Sequence, residues 1–217
     1  RQACELNPAL ISSWMSLYKY FQKNNNKPAL EHAEEQINKL KSLPNMLLYI
    51  DQVMNEGRLG VAELKCREFL KKNPTHTYAM SQLSEIANRL GHFDDAELLL
   101  EKAVQFNPDD GELRMKYALV LRKKQKFAET MEQVNILCDK YPDNLAYQAQ
   151  KASEIMQNGQ HEDAIDLFDD ILNKNPHNFS TYTSKGHALK TLGKTNDAIE
   201  SYQSAYKIRP DHGEAFF

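Results

Sequence analysis

Residues 78–108 read YAMSQLSEIANRLGHFDDAELLLEKAVQFNP, and this stretch decides the fold. Its first half places Met80, Leu83, Ala87 and Leu90 at three- and four-residue steps, which marks one stripe of a helix. Gly91 then breaks the pattern, and Ala96, Leu99, Leu100, Ala103 and Val104 begin a second stripe that stops at Pro108. The unit reads helix, turn, helix, stop. Nothing in it alternates with period two, so no strand is expected.

The same unit recurs along the chain. Pro74, Pro108, Pro142, Pro176 and Pro210 stand 34 residues apart at every interval. With prolines this scarce, four such hits by chance are on the order of one in a million. Gly57, Gly91, Gly159 and Gly193 keep the same beat, with Gln125 in the intermediate slot. So do Ala62, Ala96, Ala164 and Ala198, with Thr130 in theirs. Glycine suits a left-handed residue ending a first helix, and alanine suits a close approach of two helices. The stripe slots are filled by Tyr117, Ala118 and Leu121, by Ala152 and Ile155, and by Gly186 and Leu189. Second helices supply Val134 and Leu137, Phe168 and Ile171, and Tyr202 and Ala205. Such a chain is an all-α solenoid, whose product is a surface.

These residues resemble the tetratricopeptide-repeat family, whose signature is W-x2-L-G-x2-Y, then A-x3-F, then P. Trp14-x2-Leu17-Tyr18-x2-Phe21 opens the first unit in that style. Ala164-x3-Phe168 with Pro176, and Ala198-x3-Tyr202 with Pro210, close later ones. The resemblance implies a right-handed superhelix of antiparallel helix pairs over the whole chain, 1–217. The expected divisions are a remnant repeat at 1–10, an irregular repeat at 11–42, repeats at 43–76, 77–110, 111–144, 145–178 and 179–212, and the start of another at 213–217. In the irregular unit Asn24, Asn25, Asn26 and Pro28 lengthen the turn and Leu43-Pro44 shortens the exit, so a local change of helix angle is expected there. Truncated repeats expose apolar surface, and Phe216 and Phe217 are expected to favour end-to-end association.

Composition narrows the function classes. The chain has 41% hydrophobic and 26% charged residues and a net charge of −3, which suits a thin continuous core and argues against general nucleic-acid affinity. No apolar run approaches a membrane span. Cys4, Cys66 and Cys138 form no C-x-x-C pair and indicate neither a disulfide framework nor a zinc site, so a reducing cytoplasm is the expected setting. No phosphate loop, nucleophile elbow or zinc-protease motif is present, so no cofactor, metal or catalytic residue is expected. His76, His92, His161, His177 and His212 fall near helix ends and read as caps or turn residues. Asp94-Asp95 and Asp169-Asp170 read as helix-terminus or solvent-facing acids, and the run Arg122 to Lys126 as cations at a helix C-terminus. Asn178-Phe179-Ser180 matches a glycosylation acceptor, and no export signal supports that use.

Function is then expected on the inner face, which first helices line in this family. Numbering slots from the third residue after each proline, slots 2, 5, 9, 12 and 13 are left free by the packing stripe. They give Lys19 and Lys23; Asp51, Met54 and Asn55; Tyr78, Glu85, Asn88 and Arg89; Glu112, Met115, Arg122 and Lys123; Ser153, Met156 and Gln157; and Thr183, His187 and Lys190. Six cations against three anions give this set a net +3, opposite in sign to the chain. A basic channel with Met54, Met115, Met156 and Tyr78 as apolar contacts, and Asn55, Asn88 and Gln157 for a ligand backbone, suits an acidic or amphipathic protein segment. The competing reading of the same slots is a solvated helix face without a ligand. Lys19, Gln22 and Lys23 lack the matching Asn and Lys/Arg on the next helices that the family's carboxylate clamp uses. Residues 192–217 also resemble the last repeat of bacterial proteins in which such an array precedes a sulfotransferase domain. That resemblance implies a partner-binding arm of a larger enzyme, while a purely structural self-association scaffold is the third reading.

Overall fold

The computed structural model describes residues 11–210. Calls on the remnant repeat 1–10, on Cys4, His212, Phe216 and Phe217, and on the resemblance across 211–217 lie outside them. The described residues form twelve α-helices and no strand. These are α1 Ile11–Lys23, α2 Lys27–Ser42, α3 Asn45–Asn55, α4 Leu59–Lys72, α5 Thr77–Arg89 and α6 Phe93–Phe106. They continue as α7 Gly111–Lys123, α8 Phe127–Lys140, α9 Leu145–Gln157, α10 His161–Lys174, α11 Phe179–Thr191 and α12 Thr195–Ile208. The chain divides into two compact units, 1–113 and 114–217.

Local chemistry sets the helix ends. Gly57, Gly91, Gly159 and Gly193 sit at φ of 77°, 80°, 85° and 75° after α3, α5, α9 and α11. Around each, two backbone bonds close the helix, as in Arg58 N–H to Val53 C=O at 3.1 Å and Gly57 N–H to Met54 C=O at 3.1 Å. This is the Schellman arrangement, which satisfies carbonyls that a helix end leaves unpaired. Gln125 adopts φ 59° in the same slot after α7, and Asn25 φ 50° in the lengthened first turn. First helices start on a second periodic slot. His76 Nδ1, Asp110 Oδ1, Asn144 Oδ1 and Asn178 Oδ1 each accept a backbone N–H from the opening turn. His76 is thus a cap, as expected, and Asn178 spends its side-chain oxygen on Thr181 N–H at 3.2 Å. Asp94 and Asp95 lie in the first turn of α6, where the helix dipole favours acids.

In the first unit α1 packs on α2, α3 on α4, α4 on α5 and α5 on α6. Leu47, Ile50, Val53, Met54, Ala62, Cys66, Ala79, Leu83 and Ile86 form a buried cluster there. In the second unit α9 packs on α8 and α10, α11 on α10 and α12. Ala152, Ala164 and Phe168 make one core there, closed by Met156. The periodic small slot is buried throughout: Ala62, Ala96, Ala164 and Ala198 are at most 3% exposed, and Thr130 is 1%. Threonine is tolerated because its hydroxyl donates to Lys126 C=O at 2.9 Å. Leu90, read above as part of a packing stripe, is 41% exposed, whereas Ile86 is fully buried. Leu90 is the C-cap residue of α5, one position past its last helical residue, Arg89.

Candidate functional site

The candidate slots fall on the first helices, and each unit carries its own set. In the first unit Asp51 of α3 is the centre. Tyr78 Oη, from α5, donates to Asp51 Oδ2 at 2.6 Å, and Gln82 Nε2 donates to Asp51 Oδ1 at 2.5 Å and to Leu47 C=O at 3.0 Å. These contacts tie consecutive first helices together. Burial, with the Asp51 charge and the hydrogen bond to it behind, holds the Tyr78 phenol well above its ordinary range. Gln82 is 5% exposed, and its Oε1 is buried without a hydrogen-bond partner. One turn on, Arg89 Nε donates to Glu85 Oε1 at 2.8 Å and Nη1 to Met54 C=O at 3.3 Å. Asn88 Nδ2 reaches the other Glu85 oxygen at 3.4 Å. Lys19, Lys23 and Asn55 are exposed.

The second unit is organised around a buried acid. Glu154 of α9 is 5% exposed, and its Oε1 accepts from Arg122 Nη1 at 3.3 Å and Gln150 Nε2 at 2.5 Å. The last turns of α7, α9 and α11 carry Arg122 and Lys123, Met156 and Gln157, and Lys190. Lys123, Gln157 and Lys190 are exposed, while Met115 and Met156 are half-buried. His187 Nδ1 lies 3.0 Å from Tyr202 Oη, with the rings edge to face at 5.5 Å between centroids. Ser153 and Thr183 donate their hydroxyls to the carbonyls one turn back, Ala149 and Phe179, which occupies their only donors. Lys185 pairs with Asp169 at 2.5 Å, so that acid faces a neighbouring helix.

Three sequence expectations change. Met54 is 5% exposed and part of the first unit's core, so it is no adaptable surface contact. Its slot follows the helical stripe here because Val53 and Met54 both turn toward α4 and α5. Arg89 and Arg122, counted as cations for a ligand, each bond to an acid of their own unit. The slot rule missed Gln82 and Glu154, which are polar residues inside packing stripes. Gln82 and Gln150 occupy the same slot two repeats apart, a coincidence legible in the sequence.

Comparison with known proteins follows the architecture. Tetratricopeptide-repeat models match residues 82–144 and 179–212. Human protein O-mannosyl-transferase TMTC1 is 23% identical over 141 residues, covering 63% of this chain and 16% of that protein. Small glutamine-rich tetratricopeptide repeat-containing protein 2 of Mycosarcoma maydis is 31% identical over 71 residues, covering 33% and 20%. The chain thus spans about a fifth or less of the length of these curated relatives. Among solved structures, YrrB, described as a TPR protein with an unusual peptide-binding site, is similar with TM-score 0.60 and 16% identity over 78% of this chain and 88% of that one. The repeat period, the all-helical pairs and these matches agree: residues 82–144 and 179–212 are tetratricopeptide repeats, and the described chain has the all-α fold of such repeats.

Proposed function

We propose that this protein is a non-catalytic interaction scaffold that binds a protein segment along its first-helix faces, with the second unit taking an acidic or amphipathic one. The observation that carries this reading is the row of residues, successive along the chain, at the last turns of first helices: exposed Lys123 on α7, half-buried Met156 and exposed Gln157 on α9, and exposed Lys190 on α11. Cations at helix C-termini are favoured by the dipole, and a polarizable thioether between them adapts to varied side chains. Arg122 is held by Glu154 and serves as the fixed rim of this row.

Fluorescence anisotropy with a labelled acidic amphipathic decapeptide tests the reading. Lys123→Glu with Lys190→Glu is expected to weaken binding about fivefold or more at physiological salt. Equal affinity for the reversed variant overturns it. Arg122 is left intact in this experiment, because its removal would strand the buried Glu154 carboxylate and confound binding with stability.

A further inference from the structure

Asn158 and Gly159 form the turn that ends α9, and Asn-Gly occurs once in the whole sequence. The corresponding turns after α3, α5 and α11 put Glu56, Leu90 and Leu192 before the glycine, and the turn after α7 puts Lys124 before Gln125. Of these five turns, only the one after α9 sets a side-chain amide next to a residue without a Cβ. A Cβ added at Gly159 would meet nothing within 4 Å, so the space around its backbone nitrogen is open. Asn158 is exposed, and its Nδ2 donates to the Gln160 side chain at 3.3 Å. Asn24 and Asn73, by contrast, donate to backbone carbonyls one turn back, and Asn144 and Asn178 accept capping N–H bonds. Asp110-Gly111 is the one Asp-Gly pair, and its carboxylate is held by the N–H groups of Glu112 and Leu113.

We propose that Asn158-Gly159 is a site of self-modification by deamidation, and that its product weakens the second unit's hold on an acidic segment. The Gly159 backbone nitrogen gives its proton to solvent base and attacks Asn158 Cγ. The bond from Cγ to Nδ2 breaks, Nδ2 leaves as ammonia, and a cyclic succinimide joins the two residues. Water then opens the ring at one carbonyl or the other, leaving aspartate or isoaspartate. Gly159 N–H is held by Met156 C=O at 3.0 Å and Gln160 N–H by Ile155 C=O at 3.2 Å, so the turn must open locally before the ring closes. Such openings cost least at exposed helix ends. Either product places a negative charge at the C-terminal end of α9, directly after Met156 and Gln157. The helix dipole disfavours that charge, and the charge repels an acidic ligand. This effect on binding rests on the reading of Lys123, Met156, Gln157 and Lys190 as contact residues.

The whole folded chain is incubated for weeks at mildly alkaline pH and body temperature and sampled by peptide mass mapping, with isoaspartyl methyltransferase labelling to mark the isomer. Asn158 is expected to convert first among the asparagines, while Asp110 stays unlabelled. Conversion is expected to be faster in guanidinium chloride, where the closing bonds of the turn are lost, and absent from Asn158→Gln. No conversion of Asn158 in the folded chain, or conversion no earlier than at other asparagines, overturns the site. For the effect on binding, Asn158→Asp is expected to bind the labelled acidic decapeptide about two- to threefold more weakly than the parent at physiological salt. Asn158→Ser, which alters the side chain without adding charge, is expected to bind as the parent does. Equal losses in the two variants, or no loss in Asn158→Asp while charge reversal at Lys123 and Lys190 still weakens binding, overturns the effect. Failure of that charge reversal itself counts against the contact residues and leaves the mass measurement at Asn158 intact, so the two readings fail separately.

Discussion

Arg122 Nη1 stands 3.3 Å from Oε1 of Glu154, a carboxylate that is only 5% exposed, and the pair joins the end of α7 to the middle of α9. A buried acid needs its partner more than the partner needs it, because an unpaired charge retains the whole desolvation cost. Arg122 is itself 31% exposed, which reduces the effect. Arg122→Ala should therefore lower stability by about 2 kcal/mol. Adding Glu154→Gln should restore part of that loss, since the neutral amide can share hydrogen bonds with Gln150. Urea unfolding followed by helical circular dichroism measures both, and a double variant no more stable than Arg122→Ala alone would contradict the account.

The Tyr78–Asp51 bond gives a pH-dependent prediction. Replacing Tyr78 by Phe removes a donor to a carboxylate and should cost about 1–2 kcal/mol near neutral pH. An unfolded tyrosine releases its proton near pH 10, whereas burial makes the native Tyr78 hold it to higher pH. Above about pH 10 the native state then binds more protons than the unfolded one, so this tyrosine's contribution falls as pH rises. The gap between the parent and Tyr78→Phe should shrink when urea midpoints are compared at neutral and alkaline pH. A constant gap would mean that Tyr78 ionises as freely in the folded protein as in the unfolded chain.

Gln125 holds φ 59° where the other full repeats place glycine at 75° to 85°. A side chain in the left-handed region crowds the backbone, and glycine relieves it. Gln125→Gly should raise stability by about 0.5–1 kcal/mol. A fall in thermal midpoint would show that the Gln125 side chain makes a compensating contact.

Gly186 is a glycine of the opposite kind, required by a neighbour. A Cβ there would lie 2.5 Å from Cε1 of Tyr202, so Gly186→Ala must push the ring aside and disturb its contact with His187. The expected loss is about 1–3 kcal/mol. With Tyr202→Ala already in place the same change should instead stabilise by up to about 1 kcal/mol through helix propensity. Absence of that change of sign, in a double-mutant cycle by thermal unfolding, would remove the steric explanation.

Cys66 is fully buried, donates to Ala79 C=O at 3.1 Å, and is pushed up to about 12 by burial. Cys138 is half-buried and is raised too, again chiefly by burial. The thiolate is the nucleophile, so iodoacetamide at neutral pH should label Cys138 well before Cys66. Peptide mass mapping over time reports the order, and comparable rates would show that the α4–α5 core opens readily.

The sequence already contained the helices and their ends, because each is set within one turn: a proline two residues past a second helix, a glycine after a first, a polar cap before the next. It also contained the buried small slot at Ala62, Ala96, Thr130, Ala164 and Ala198, since a 34-residue period returns equivalent residues to equivalent places. The candidate face was legible only as a set of slots. Met54 turned inward and Leu90 outward, because slot counting assumes ideal helices of equal length and these ends depart from that. Glu154 and Gln82 were hidden inside stripes that composition marks as packing.

What the tertiary structure alone decided is which polar groups meet. Periodicity fixes the direction of a side chain around its own helix, and it is blind to what the neighbouring helix presents at the same height. Arg122 with Glu154, Tyr78 and Gln82 with Asp51, and Lys39 with Glu112 across 73 residues are all facts of that second kind. Hydrogen bonds and ion pairs act over a few ångströms with strict geometry, so only the packed arrangement of helices selects them.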